Sequence, residues 1–199
     1  MKKCDFAKPK EPCHAHRRGS SSFKMHDRRK VLAGFDLKKG DVVLDLGCGP
    51  GDYAIECARI VGATGLVYAL DRQQELLDDL KERAERMGLD NIRAIPRDIT
   101  LPLPLEDNCT DLCIIITVLH IPGVSDKKGK IFAEVKRILK PGGRLVTIDV
   151  KKEDSSFGPP LHMRIAPEEV EASVIRHGFE KTEFTDLGNN YMLSFRMKK

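Results

Sequence analysis

One unit constrains the fold more than any other: an apolar run, Val42–Leu46, then a glycine-rich loop, then helical spacing over Asp52–Val61. The run is continuous rather than alternating. That marks a strand covered on both faces, as parallel sheets with crossover helices require. The rhythm repeats downstream. Residues 66–70 are apolar, and residues 72–87 bring Leu76, Leu77, Leu80 and Ala84 round at three- and four-residue intervals. Gly88 stands where a left-handed helix stop belongs. Residues 91–95 and 112–117 read as strands, and residues 126–139 as a helix closed by Pro141-Gly142-Gly143. Residues 144–150 form a further strand. Pro167 opens a last helix that Gly178 ends, and residues 180–187 pair with Asn190–Met197 about Gly188-Asn189. The expected fold is α/β, a doubly wound, mostly parallel, Rossmann-like sheet with a C-terminal antiparallel hairpin.

Composition supports a packed core, with 41% hydrophobic and 32% charged residues. The longest near-apolar stretch, residues 112–119, is far short of the roughly 20 residues of a membrane helix. The opening MKKCDFAKPK has no apolar stretch after its lysines, so no secretory signal is expected. Six scattered cysteines do not make a disulfide scaffold, and a cytoplasmic protein with reduced thiols is expected. Charge is uneven: residues 1–40 hold 12 Lys/Arg against 4 Asp/Glu, and residues 41–199 hold 22 against 26. Residues 1–25 read as a flexible basic arm and residues 26–199 as the domain, which begins with a short amphipathic helix at 26–35. The arm could attract nucleic acid. Its Cys4, Cys13, His14 and His16 could hold a soft metal, although no metal site is assigned.

The loop Asp45-Leu46-Gly47-Cys48-Gly49-Pro50-Gly51-Asp52 sits between the first strand and its helix, where open α/β sheets bind ligands. A dinucleotide loop of G-x-G-x-x-G would need glycine at position 52. Aspartate stands there, and a carboxylate at a helix start opposes a pyrophosphate. Asp45 suits a ligand with an ammonium group. Asp71, at the end of the second strand, can accept both hydroxyls of a ribose. Asp98, after the third strand, can accept from the amine of an adenine while Ile99 packs on the ring. A ligand with an ammonium, a ribose and an adenine but no phosphate is S-adenosyl-L-methionine.

Over residues 36–199 the chain resembles the class I S-adenosylmethionine-dependent methyltransferases, with a core like those of the ubiquinone/menaquinone and arsenite enzymes. The resemblance rests on residues 43–51, Asp71, Asp98, Thr117-Val118-Leu119-His120 and the stretch 139–145. It implies a seven-stranded sheet whose last strand is antiparallel. It also implies a cofactor site made of Asp45, Gly47, Cys48, Gly49, Gly51, Asp71, Arg72, Asp98, Ile99 and Thr117. Gly47 and Gly49 would lie along the methionine part. His120 is the candidate general base or pocket wall. The expected reaction is methyl transfer to a small-molecule acceptor by in-line displacement. The acceptor pocket is expected under the N-terminal segment and residues 151–166. Two alternatives stay open: a non-catalytic S-adenosylmethionine binder, and an RNA methyltransferase using the basic arm. The acceptor atom and the oligomeric state are not specified by the sequence.

Overall fold

The computed structural model describes residues 22–198; the soft-metal candidates Cys4, Cys13, His14 and His16 lie outside them. Seven strands form one sheet in the order β3-β2-β1-β4-β5-β7-β6. They are β1 Val42–Leu46, β2 Leu66–Asp71, β3 Ile92–Pro96, β4 Thr110–Ile116, β5 Leu139–Val150, β6 Phe179–Asp186 and β7 Asn190–Met197. β1 pairs in parallel with both β2 and β4, while β7 runs antiparallel to β5 and β6. Among the described residues five helices cover the faces: α1 Arg28–Phe35, α2 Asp52–Val61, α3 Gln74–Arg86, α4 Lys128–Ile138 and α5 Pro167–Ile175.

Neighbouring residues of the central strands feed opposite layers, as the two-residue strand period demands. Leu44, Cys113, Ile115 and Leu193 join Phe132 and Val174 of α4 and α5. Val43, Leu112, Ile114 and Met192 join Val31 and Phe35 of α1 and Ala54 of α2. Both faces of β1 and β4 are therefore dry, which is why their sequences are apolar runs. Among the described residues no helix is long and apolar enough to cross a membrane.

Element ends depart from the sequence expectation where a side chain takes over the backbone's hydrogen bonds. α1 begins at Arg28 rather than residue 26 because the Asp27 carboxylate accepts from the N–H groups of Arg29 and Lys30. α3 begins at Gln74 rather than residue 72, since Asp71 accepts from the Gln73 N–H. β5 starts five residues early. Leu139 pairs with Thr110 before the chain swells at Gly142 and resumes with Arg144 opposite Leu112. The helix expected at 126–139 opens as a 3-10 turn, Ser125–Lys127, and becomes α-helical at Lys128.

After β5, residues 151–166 contain only a short 3-10 turn, Leu161–Met163, and are organised by one side chain. Arg164 is 4% exposed. Its guanidinium donates to the carbonyls of Lys151, Glu153, Ser155, Phe157 and Pro159, and to the Ser155 hydroxyl. A buried charge with no acidic partner among the described residues is tolerated here because five carbonyl dipoles replace its water.

Candidate active site

The connections leaving β1 and β4 part at the point where strand order reverses, and a cleft of about 330 Å³ opens there. Nine of the eleven residues expected at the site line it: Asp45, Gly47, Cys48, Gly49, Asp71, Arg72, Asp98, Ile99 and Thr117. Gly51 and His120 do not. Gly51 instead begins α2 in a left-handed conformation, φ 76°, and a Cβ there would stand 2.5 Å from Leu80. It lets α2 and α3 close together behind the cleft.

The loop after β1 is held from β2. The N–H groups of Gly47 and Cys48 both donate to the Leu70 carbonyl, at 2.8 and 3.0 Å. Gly47 has φ 76°, and a Cβ on it would lie 2.7 Å from Val118. Only glycine brings these two walls so close. Asp71 lines the cleft and also braces the loop. Its Oδ2 accepts from the Gly49 N–H at 2.9 Å and its Oδ1 from the Gln73 N–H at 3.0 Å. Each oxygen keeps a further lone pair for a ligand hydroxyl.

Asp45 is 2% exposed, and its Oδ2 has no hydrogen-bond partner. Burial, then the nearby Asp71 charge, push its carboxyl up to about 8. A ligand cation beside it would restore the charged form. The same carboxylates, after burial itself, push the Cys48 thiol far up, so it is no thiolate nucleophile. Asp98 is exposed, and the Thr100 N–H at 2.8 Å, with its hydroxyl, holds its carboxyl below the usual range. It stays ionised and able to accept. The Asp52 carboxylate at the start of α2 is not an unopposed charge: Arg83 of α3 pairs with it and also donates to the Pro50 carbonyl at 2.8 Å.

Thr117, the residue after β4, has φ 53°, a left-handed conformation that a β-branched residue rarely adopts. Its N–H donates to Ile148 at 2.7 Å and its hydroxyl to the Ile116 carbonyl at 2.8 Å, so both strand ends hold the turn in place. Three residues on, His120 faces β5, where its Nδ1 meets Asp149 Oδ1 at 2.7 Å.

Sequence reasoning missed Asp149, although a lone charge in the apolar run at 145–150 was a readable signal. It also missed Tyr53, which lines the cleft and whose hydroxyl lies 2.7 Å from His26 Nδ1. Phe23 stacks edge-on against Tyr53 at 4.9 Å, and Ser22 reaches the cleft wall. Residues 22–25 form a 3-10 turn against the domain. Residues 151–166, expected over the pocket, contribute nothing to its lining. Their chain is drawn onto Arg164 instead. Cys57 and Cys113 are buried in the core. Among the described residues no group of three His, Cys, Asp or Glu is placed to hold a metal ion.

The sequence profile of the family described as "Methyltransferase domain" matches residues 37–188. A demethylmenaquinone methyltransferase of Staphylococcus aureus is 31% identical over 134 residues, 66% of this chain and 53% of the relative. The chain thus spans about half the length of the curated relatives it matches. Among solved structures, a SAM-dependent methyltransferase from Aquifex aeolicus is 30% identical. It superposes with a TM-score of 0.80 over 90% of this chain and 94% of that one. A putative type 11 methyltransferase from Sulfolobus solfataricus is 26% identical, with a TM-score of 0.69 over 87% and 94%. The glycine loop, the acidic cleft at the strand switch and the reversed seventh strand thus occur in a chain that belongs to the class I S-adenosylmethionine-dependent methyltransferase family.

Proposed function

We propose that the domain transfers a methyl group from S-adenosyl-L-methionine to a small molecule. The observation that carries this reading is the buried Asp45 carboxylate, which lines a cleft shared with Asp71 and Asp98 and whose Oδ2 has no hydrogen-bond partner. These residues fit the cofactor by charge and chemistry. Asp45 would take the ammonium, Asp71 the ribose hydroxyls and Asp98 the adenine amine, with Ile99 against the ring. The left-handed glycines at 47 and 49 let the backbone lie close along the methionine part.

When bound, the cofactor supplies a methyl group already activated on a positive sulfur. The protein's share is then to bind, align and exclude water. Thr117, Val118 and Ile121 wall the cleft on the β4 side and Tyr53 on the α2 side, and together they would orient the acceptor. His120 is assigned to the acceptor side. A cleft of about 330 Å³ is at the small end for ligand sites and would be largely filled by the cofactor. The remaining rim suits a small acceptor better than a polymer. A cytoplasmic setting is retained as part of the proposal.

The test is isothermal titration of the full chain with S-adenosylmethionine, S-adenosylhomocysteine and NAD. A screen for S-adenosylhomocysteine formation follows, with phenols, thiols, amines, demethylmenaquinone and RNA as acceptors. Micromolar binding of the first two ligands, no binding of NAD and turnover of a small acceptor are expected. Binding of NAD alone would refute the cofactor assignment. Turnover confined to RNA would refute the acceptor class, and binding with no turnover would favour a non-catalytic binder.

A further inference from the structure

Asp149 is fully buried at the sheet end of the domain, yet no lysine or arginine pairs with it among the described residues. Its Oδ1 accepts from the Val150 N–H at 2.8 Å and meets His120 Nδ1 at 2.7 Å; its Oδ2 has no partner. Burying a carboxylate in this way is costly and adds nothing to packing that a leucine would not. Tyr191, beside it on β7, spends its hydroxyl on the Ile165 carbonyl at 3.0 Å and gives Asp149 no hydrogen bond. The imidazole is therefore the group that Asp149 serves.

An ionised carboxylate can only accept, so with Asp149 ionised the proton of the 2.7 Å contact sits on His120 Nδ1. The neutral imidazole must then carry its lone pair on Nε2. His120 keeps 13% of its side chain exposed, and its chain neighbours Thr117, Val118 and Ile121 line the cleft. The free nitrogen is thus held on the loop that borders the cleft.

We infer that Asp149 is a positioning residue that fixes His120 as a proton acceptor, and that the methyl acceptor is a nucleophile which must shed a proton: a phenolic or enolic hydroxyl, a thiol or an N–H. This rests on the proposed methyl transfer in the cleft. In the step, the acceptor's X–H bond breaks and its proton passes to Nε2. Its electron pair forms the X–CH3 bond, while the pair of the breaking S–CH3 bond stays on sulfur. The imidazolium so formed is balanced by the Asp149 carboxylate. Acceptors with no proton to lose, such as a thioether or a tertiary amine, would have no use for the pair.

The first readout needs no substrate. Long-range proton–nitrogen spectra of the 15N-histidine-labelled full chain report which ring nitrogen carries the proton, with His120 assigned through His120→Gln. Wild type is expected to show the Nδ1–H form. Asp149→Asn should reverse it, because the amide can donate to Nδ1, and Asp149→Glu should restore it. A wild-type His120 protonated on Nε2, or a tautomer indifferent to Asp149→Asn, overturns the positioning role. Turnover is then compared between catechol or thiophenol and the proton-free acceptors dimethyl sulfide and N,N-dimethylaniline. Methylation of the first pair, with kcat lowered about 10²–10⁴-fold in Asp149→Asn and KM little changed, supports the inference. Turnover of the proton-free pair alone overturns the acceptor class. Titration with S-adenosylhomocysteine separates the two levels: lost binding in wild type defeats the cofactor reading, whereas intact binding with the wrong tautomer defeats only this one.

Discussion

Asp45 gives the sharpest test of how the cleft recognises its ligand. Its carboxyl is pushed up to about 8 by burial and by Asp71, so at pH 6.5 the ligand-free site is almost wholly protonated. An ammonium placed against Oδ2 stabilises the ionised form, and binding must then expel the proton. Close to one proton per site should be released at pH 6.5, where an α-amino group of pKa ~7.7–8.0 is still charged. Isothermal titration with S-adenosylhomocysteine in phosphate and in Tris measures this release from the difference in apparent enthalpy. Below the carboxyl's own titration, each unit of pH costs about 1.4 kcal/mol, so the apparent Kd should weaken about tenfold from pH 7 to pH 6. Asp45→Asn should abolish the release, flatten that slope and weaken binding about tenfold or more. The sign for folding is opposite. A carboxyl raised in the native state holds its proton more tightly there, so stability falls as pH rises from about 4 towards 8. Asp45→Asn should therefore raise the ligand-free Tm at pH 8 by at least about 3 °C. Equal enthalpies in both buffers for wild type, or proton release surviving in Asp45→Asn, would refute the reasoning.

Three other expectations follow from the same geometry. Asp71→Ala removes the anchor of Gly49 and the proposed acceptor for the ribose hydroxyls; S-adenosylmethionine affinity should fall about tenfold or more, and an unchanged titration would remove Asp71 from the site. His26 is held near 4 by burial, with Asn190 opposing, so its neutral form stabilises the fold fully above pH ~6.5 and that stability is lost as pH falls towards 4. The loss should reach about 3 kcal/mol in urea titrations and be absent from His26→Phe; parallel pH profiles for the two chains would count against it. Thr117→Asn should relieve a left-handed β-branched residue and raise Tm by about 1–4 °C, whereas a fall would show that the hydroxyl bond to Ile116 outweighs the strain.

Most of the strand and helix positions were legible because burial on two faces leaves a plain record in sequence: β1 and α2 have the bounds that their apolar spacing suggests. What was not legible depended on long-range partners. Asp27 shortens α1 by capping it and Asp71 delays α3 by taking the Gln73 N–H, effects visible only once the side chain's direction is known. Gly51 looked like a ligand residue because it shares a loop with Gly47 and Gly49, but the atom it must avoid belongs to Leu80 on another helix. Asp52 looked like a bare charge until Arg83 arrived beside it from 31 residues away. His120 was legible as chemistry, whereas its partner Asp149 is joined to it only by the pairing of β4 with β5.

The Arg164 knot has a consequence for how this domain can change. Carbonyl oxygens are common to every residue, so a guanidinium that gathers five of them imposes a loop shape with little demand on the side chains along it beyond the Ser155 hydroxyl. Most of residues 152–163 can thereby drift, or be rewritten by a designer, while the path of the chain beyond Asp149 is retained; the exceptions are Ser155, whose hydroxyl joins the guanidinium, and Gly158, held at φ 79° against Val150. The tolerance ends at position 164 itself. Lysine would keep the charge but bring three donors on a single point in place of a planar fork of five, and the loop would lose its template.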